Sequence, residues 1–189
     1  MAIKIYIDQG HNPYGFNTGA EGNGYFEQDI TYDIGYRLFC LLRQNGNFSP
    51  RLSRPTRYTV LGTNNSSSLS ARTGEANAWG ANAFISLHAN SSTNTAATGS
   101  ECLVYSKSIP ATNALAEDIL SSLVAATGLR SRGVIARPDL YVLRRTRMSA
   151  VIVEMGFITN PRDAALMTSS PDLFAEGIYR GILRYYGLA

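Results

Sequence analysis

The chain has only two histidines, and each of them follows a segment predicted to form a β-strand. His11 comes just after a β-branched, alternating segment near the N-terminus, and His88 comes directly after the apolar segment 83–87. A third apolar segment, 150–153, stops at the carboxylate of Glu154. Imidazole and carboxylate groups bind divalent metals and transfer protons, so these three side chains are the first candidates for chemistry.

Glu27 is a fourth candidate, because it lies on the inward stripe of a helix predicted over residues 26–45. That stripe has the three-and-four spacing of a buried helix face and consists of Ile30, Ile34, Leu38 and Leu41. Glu27 extends the stripe toward the N-terminus, whereas Asp33 falls off it and is expected to pair with Arg37. A carboxylate that points inward needs a cation or hydrogen bonds, and we expect a metal ion shared with both histidines.

The elements that must position these side chains alternate between strands and helices. Extended segments are predicted at 3–8, 48–54, 83–87, 101–106, 139–143 and 150–153, and helices at 26–45, 69–80, 111–127, 161–168 and 171–186. Alternation of this kind predicts one α/β domain with a mostly parallel sheet covered by helices on both faces. Ligands bind at the carboxyl ends of such strands, which is where His11, His88 and Glu154 fall.

Two imidazoles and one carboxylate, with a fourth position left for water, match a catalytic zinc site. The predicted ligands are His11, Glu27 and His88. Zinc lowers the pKa of a bound water from about 15.7 to about 7 and polarises a carbonyl group as a Lewis acid. Glu154, left unligated, is predicted to take the proton of the water and pass it to a leaving amine. The predicted reaction is therefore metal-assisted amide hydrolysis.

Each of these residues also has a simpler interpretation. A histidine after a strand is most often a hydrogen-bonded structural residue, and Glu27 could be an exposed acid in the first turn of a helix. Glu154 could pair with a nearby arginine, and all of them together could form a structural hydrogen-bond cluster. Asp8 either orients a metal ligand or forms a turn at the end of its strand.

A basic segment could bind an anionic substrate, although a solvated rim with scattered ion pairs is the better interpretation for most of it. Its members are Arg130, Arg132, Arg137, Arg144, Arg145 and Arg147.

Composition limits the possible classes of function. The chain has 189 residues, of which 44% are hydrophobic and 16% charged, which indicates one globular domain. A net charge of +3 is too small to indicate nucleic-acid binding, and no apolar segment is long enough to insert into a membrane. Cys40 is predicted to be a small core residue, and nothing requires a disulfide with Cys102. The chain begins almost at once with a strand, so we expect either export from a longer precursor or retention in the cytoplasm until release.

Four segments carry a resemblance to a known family. They are 7–11 (IDQGH), 26–30 (FEQDI), 85–90 (ISLHAN) and 153–161 (VEMGFITNP), and the stretches 69–77, with Arg72, and 140–148 are also similar. In their order and spacing the chain resembles the zinc-dependent N-acetylmuramoyl-L-alanine amidases, the amidase type 3 family. Gln9 and Ser149 depart from the family pattern, which commonly has proline at both positions.

The resemblance implies a three-layer αβα sandwich around a six-stranded sheet, formed by residues 1–189 as a single catalytic domain without a wall-binding module. It implies His11, Glu27 and His88 as Zn²⁺ ligands, and Glu154 as the catalytic acid/base. The implied substrate is the amide between the lactyl group of muramic acid and L-alanine in the peptidoglycan of the bacterial cell wall, hydrolysed by a monomer. A zinc peptidase that cuts within the stem peptide and a non-catalytic wall-binding module are the alternatives.

Overall fold

A six-stranded sheet forms the centre of the computed structural model, which describes all 189 residues. Its strands are β1 (Ile3–Gln9), β4 (Phe48–Leu52), β5 (Ala83–Asn90), β6 (Ser100–Val104), β7 (Ser131–Ala136) and β8 (Ser149–Phe157), and a separate hairpin consists of β2 (Glu21–Gly22) and β3 (Tyr25–Phe26). The spatial order in the sheet is β4-β1-β5-β8-β6-β7.

Four neighbouring strands of the sheet, β4, β1, β5 and β8, run parallel to one another. β6 pairs antiparallel with β8, and β7 then pairs parallel with β6. The prediction of a mostly parallel sheet is therefore confirmed. Because β6 runs the opposite way, its first residues, and not its last, lie at the edge where β1, β5 and β8 end.

Helices cover both faces of the sheet and complete the predicted αβα sandwich. They are α1 (Glu27–Gln44), α2 (Asn65–Trp79), α3 (Pro110–Thr127), α4 (Tyr141–Arg145), α5 (Pro161–Ser169) and α6 (Pro171–Tyr185). α1, α3 and α6 enclose the main core, which has 29 buried residues, whereas α2 and α4 cover a second cluster of only nine. The second face is thus the thinner layer. No helix is both apolar and long enough to cross a membrane.

The interior face of α1 largely follows the predicted stripe. Ile30, Ile34 and Leu38 are buried, but the next core position is taken by Leu42, and Leu41 is only partly buried. The prediction that Cys40 belongs to the core is wrong, because its side chain is half-buried at the edge of the helix, and both cysteines are free. Off the stripe, Asp33 pairs with Arg37 at 3.4 Å, as predicted.

The structure corrects the predictions made for the segments that form α4, β7 and α2. The segment 139–143, predicted to be extended, instead leads into the short helix α4, whose Val142 and Leu143 pack into the thinner layer. β7 was not predicted, because it is an exposed edge strand interrupted by Gly133 at a φ of 90°. α2 begins four residues earlier than predicted, since Asn64 and Ser67 cap each other's backbone amides.

α3 and α6 approach each other closely on the face opposite the thinner layer. A Cβ atom added at Gly181 would lie 2.4 Å from the Cα atom of Ile119, and one added at Gly177 would lie 2.8 Å from the Cα atom of Leu123. Only glycine permits this separation, so these two positions set how tightly the two helices pack.

Candidate metal centre and active site

His11, Glu27 and His88 lie together at the carboxyl edge of the sheet. Glu27 Oε1 is 3.1 Å from His11 Nε2 and 3.0 Å from His88 Nδ1. One ligand atom from each of the three residues lies within 4.8 Å of the others. Both histidines of the chain therefore direct a ring nitrogen at the same carboxylate oxygen.

Different elements supply the three side chains. His11 lies two residues beyond β1, in a left-handed backbone conformation with a φ of 70°. Glu27 is the first residue of α1 and is only 4% exposed. His88 lies within β5, which continues to Asn90 and does not stop at the histidine as predicted. The main chain thus presents one ligand from a strand exit, one from a helix start and one from a strand.

The carboxylate of Glu27 is held by four hydrogen-bonding groups. Besides the two imidazoles, the backbone N–H of Ala89 donates to Oε1 at 3.0 Å, and that of Ala20 donates to Oε2 at 2.8 Å. Burial would raise the pKa of Glu27, but the hydrogen bonds and charges of His11 and His88 outweigh it and hold the pKa well below its usual range. Glu27 is thus an ionised carboxylate, not an exposed acid in a first helical turn.

The three residues fit a divalent metal by their chemistry. Two imidazole nitrogens and a carboxylate oxygen are the donor set of many catalytic zinc sites, with ligand–metal distances of about 2.0–2.2 Å. Small residues give the cluster its room: a Cβ at Gly10 would lie 2.6 Å from His88 Cε1, and one at Gly19 would lie 2.7 Å from the Cβ of Glu27. The arrangement is therefore competent to bind a metal.

Glu154 lies beside this group without joining it. It is the direct neighbour of His88 in the register between β5 and β8, and it lies within β8, which runs on to Phe157 and does not end at Glu154 as predicted. Its Oε2 atom is buried and has no hydrogen-bond partner. Burial raises the pKa of Glu154 to about 7, with the charges of Glu27 and Glu101 adding to the rise and that of His88 opposing it.

Asp8 does not contact either histidine, and it lies inside β1, so it is not a turn former. Its Oδ1 accepts a 2.6 Å hydrogen bond from the buried Arg72, and its Oδ2 accepts one from Ser86 at 2.8 Å. Burial would raise the pKa of Asp8, but the charge of Arg72 and these hydrogen bonds lower it. Arg72 also donates to the carbonyl oxygen of His11 at 2.6 Å, so Arg72 links Asp8 to the backbone of His11.

Arg54 is a second buried arginine that sequence reasoning missed. Its Nη1 donates to the carbonyl oxygens of Gln28 at 3.0 Å and His11 at 3.3 Å. Burial lowers its pKa to about 10, and the nearby charge of Arg72 adds to the effect. No motif in the sequence identifies this residue, whose backbone N–H donates to the Gln9 side chain at 2.9 Å.

Of the six arginines in the basic segment, only Arg132 and Arg137 form ion pairs. Arg137 pairs with the exposed Asp139 through two hydrogen bonds, of 2.9 and 2.8 Å. Arg132 differs from it, because it pairs with the buried Glu101 at 2.8 Å.

A small cavity of about 140 Å³ adjoins the two histidines, and its walls include Leu140 and Tyr141. A larger groove of about 780 Å³ lies between α1 and α6, at Tyr36 and Leu173, and contains none of the candidate site residues.

Comparison with known proteins gives one consistent result. The family described as N-acetylmuramoyl-L-alanine amidase, Amidase_3, matches residues 5–184. The amidase CwlM of Bacillus licheniformis is 35% identical over 99% of this chain and 70% of its own length. LytC of Bacillus subtilis, also an amidase, is 35% identical over 96% of this chain, which spans only 35% of LytC. The crystal structure of an N-acetylmuramoyl-L-alanine amidase from Clostridium difficile 630 superimposes with a TM-score of 0.88 at 29% identity, covering 98% of this chain and 97% of that one.

Proposed function

This chain belongs to the Amidase_3 family of N-acetylmuramoyl-L-alanine amidases, and from that premise we propose that His11, Glu27 and His88 hold a zinc ion for its reaction. The family and the relatives make it an enzyme, a hydrolase that acts on an amide bond of peptidoglycan. The bond cleaved joins the lactyl group of muramic acid to L-alanine, and residues 1–189 form one catalytic domain that acts at the bacterial cell wall.

One observation carries the proposal of a metal. The chain has two histidines, and both direct a ring nitrogen at Oε1 of a buried, ionised glutamate, at 3.1 and 3.0 Å. A carboxylate needs no second imidazole to be satisfied in a protein interior, and Glu27 already accepts two backbone N–H groups. Convergence of all three donors beside a cavity that both histidines line is the arrangement expected of ligands around a shared cation.

Zinc at this position would supply a Lewis acid for the scissile carbonyl and would lower the pKa of a nearby water. Glu154 then has the proton-transfer role, for which it has an unpartnered oxygen and a pKa near neutrality. Its carboxylate takes a proton from the attacking water as the new carbon–oxygen bond forms. It returns that proton to the alanine nitrogen as the carbon–nitrogen bond breaks.

The products follow from this balance of atoms. The glycan keeps the lactyl group as a free carboxylate, and the stem peptide leaves with a free amino group on L-alanine. Arg72 and Arg54 both donate hydrogen bonds to the backbone carbonyl oxygen of His11, so the position of His11 is already fixed before substrate binds.

Digestion of purified peptidoglycan, with and without a chelator, tests the proposal. Mass analysis should find peptides that begin with L-alanine and glycan strands with free lactyl groups, and only in the sample without chelator. A zinc peptidase would instead release fragments whose new amino group lies further along the stem. A wall-binding module would release nothing, and products that form equally well in chelator would rule out the metal.

A further inference from the structure

The active edge of the sheet continues beyond Glu154 to a second pair of charged residues. Glu154 on β8 has His88 as its neighbour on one side and Glu101, on β6, as its neighbour on the other. Arg132, on β7, then binds the carboxylate of Glu101. From β5 to β7 the row of side chains is therefore His88, Glu154, Glu101 and Arg132, with the metal centre at one end and a guanidinium at the other.

Arg132 is held in a fixed position. Its Nε donates to Glu101 Oε2 at 2.8 Å, and its guanidinium carbon lies 4.9 Å from the centre of the Phe157 ring. The other oxygen of Glu101 accepts a 3.0 Å hydrogen bond from Asn90, which fixes that carboxylate in turn. The guanidinium is thus held at Nε by a hydrogen bond and across its plane by an aromatic ring, and it has lost most of its rotational freedom before any ligand binds.

The donors that point away from Glu101 are free. Neither Nη1 nor Nη2 of Arg132 donates a hydrogen bond within the protein, although the side chain is only 29% exposed. Two other arginines near the edge do not share this property. The fork of Arg137 is taken by Asp139, and Arg72 is 1% exposed with its Nη atoms committed to the β1 exit.

Resting on the amidase function proposed above, we propose that Arg132 binds a carboxylate of the stem peptide. Two free, pre-positioned Nη donors match the two oxygens of a carboxylate. Before cleavage the glycan side of the scissile bond offers no such group, because the lactyl carboxyl is part of the amide itself. The stem peptide is the part of the substrate that carries free carboxylates.

Distance restricts which carboxylate is meant. Neighbouring strands are about 4.8 Å apart, so a guanidinium that contacts Glu101 on β6 lies roughly 10 Å from the His88 strand. An extended peptide advances about 3.3 Å per residue, which places the bound carboxylate within about three residues of the scissile amide. The binding site at Arg132 therefore favours stems with a free carboxylate within about three residues of the scissile amide over stems with a carboxamide at that position.

The test uses two soluble muramyl peptides that differ only at that group, one with the carboxylate and one with the carboxamide. Wild-type enzyme should show a kcat/KM roughly tenfold higher for the carboxylate compound, the scale of one charge-assisted contact. Arg132→Gln should remove the preference. Arg180→Gln, which removes an equal charge from an exposed pair with Glu176 on α6, should retain it. Equal kcat/KM values for the two compounds in the wild type, or an unchanged preference in Arg132→Gln, would overturn the proposal.

Two further measurements keep the test decisive. Loss of Arg132 leaves the buried carboxylate of Glu101 without a cation, so the double variant Glu101→Gln/Arg132→Gln removes both charges and should fold even if the single variant does not. For the double variant, the ratio of the two kcat/KM values is again the readout. Glu101 is a neighbour of Glu154, but any effect of its replacement on Glu154 changes kcat/KM for both compounds equally. Calorimetric titration of both compounds into Glu154→Gln measures the preference without turnover. Failure of the amidase function would be seen as no cleavage of either compound, and the binding ratio would still decide the role of Arg132.

Discussion

Arg72 of α2 donates a 2.6 Å hydrogen bond to the backbone carbonyl oxygen of His11. The same guanidinium binds Asp8 at 2.6 Å, and Asp8 is in turn bound by Ser86, two residues before His88 on β5. The two histidines are therefore linked through buried charged and polar groups as well as through Glu27. This link holds the left-handed backbone at His11 without using either imidazole.

Replacement of Arg72 should be among the most damaging single changes in the chain. Arg72→Gln leaves Asp8 as an unpaired buried charge, for which we expect a loss of about 3–5 kcal/mol in the free energy of unfolding. Affinity for zinc should also fall, because the backbone that carries His11 loses its main tether. Urea denaturation and a competition assay with a zinc-binding dye measure the two effects.

A matched control for that variant is Arg180→Gln, since Arg180 pairs with Glu176 on the exposed surface of α6. It should change the free energy of unfolding by less than about 0.5 kcal/mol. Similar losses in both variants would contradict the role assigned to Arg72.

The lowered pKa of Asp8 predicts a particular dependence of stability on pH. A group whose pKa is lowered by folding stabilises the protein fully above its unfolded pKa of about 3.9, and that contribution is lost as the pH falls through the folded value. Asp8→Asn lacks the contribution at every pH. The difference in the free energy of unfolding between wild type and Asp8→Asn should therefore be largest near neutral pH and shrink below about pH 4. Urea denaturation at a series of pH values measures it, and a difference that stays constant into acid would be inconsistent with the Asp8–Arg72 pair.

Glu154→Gln separates catalysis from metal binding. The amide side chain keeps the shape of the glutamate but cannot accept and return a proton, so kcat should fall by about 100- to 10,000-fold. Zinc content, measured by atomic absorption on the purified protein, should stay at the wild-type level. If Glu154→Gln instead loses its zinc, Glu154 is a ligand and its assignment as the acid/base fails.

Removal of the metal should abolish activity and lower thermal stability together. A ligand that binds only the folded state stabilises it by mass action, so the midpoint of thermal unfolding should rise as zinc is added back to chelated protein. His88→Ala should show neither the rise nor recovery of activity. Activity that survives exhaustive chelation would argue for a different mechanism.

Two helical glycines should respond in opposite ways to the addition of one methyl group. Gly181→Ala forces a Cβ against the backbone of Ile119 and should destabilise the protein by about 1–3 kcal/mol. Gly74, in α2, has no atom within 4 Å of its added Cβ, so Gly74→Ala should stabilise by about 0.5–1 kcal/mol through helix propensity. Thermal unfolding of the two variants measures both signs, and activity should be unchanged in Gly74→Ala.

The sequence predicts which side chains lie together at the candidate site, because they fall at positions with a physical meaning. His11 and His88 stand out as the only imidazoles, and the periodicity of α1 predicts that Glu27 points inward. The burial of Arg54 could not be predicted, because its partners are backbone carbonyls from two other segments, which only tertiary folding brings together. The same holds for Arg132, whose partner Glu101 lies on the adjacent strand, 31 residues away in the chain.

The antiparallel direction of β6 could not be predicted either. A pattern of apolar residues predicts that a segment forms a strand, but it does not predict the direction in which the strand runs. Short or irregular elements were missed for a related reason. α4 is five residues long and β7 is exposed, so neither has a periodic apolar pattern.

The reversed strand has a consequence for how this scaffold can be varied. Because β6 enters the sheet at the active edge, the stretch 91–99 joins β5 to β6 at that edge, and the ladder between β6 and β8 begins only afterward, at Glu101. Thr98 and Gly99, at the end of the stretch, bind Asp163, so we expect insertions before Thr98 to leave the register of the strands unchanged. Redesign of the enzyme toward other cell walls can therefore begin with the residues that precede Thr98.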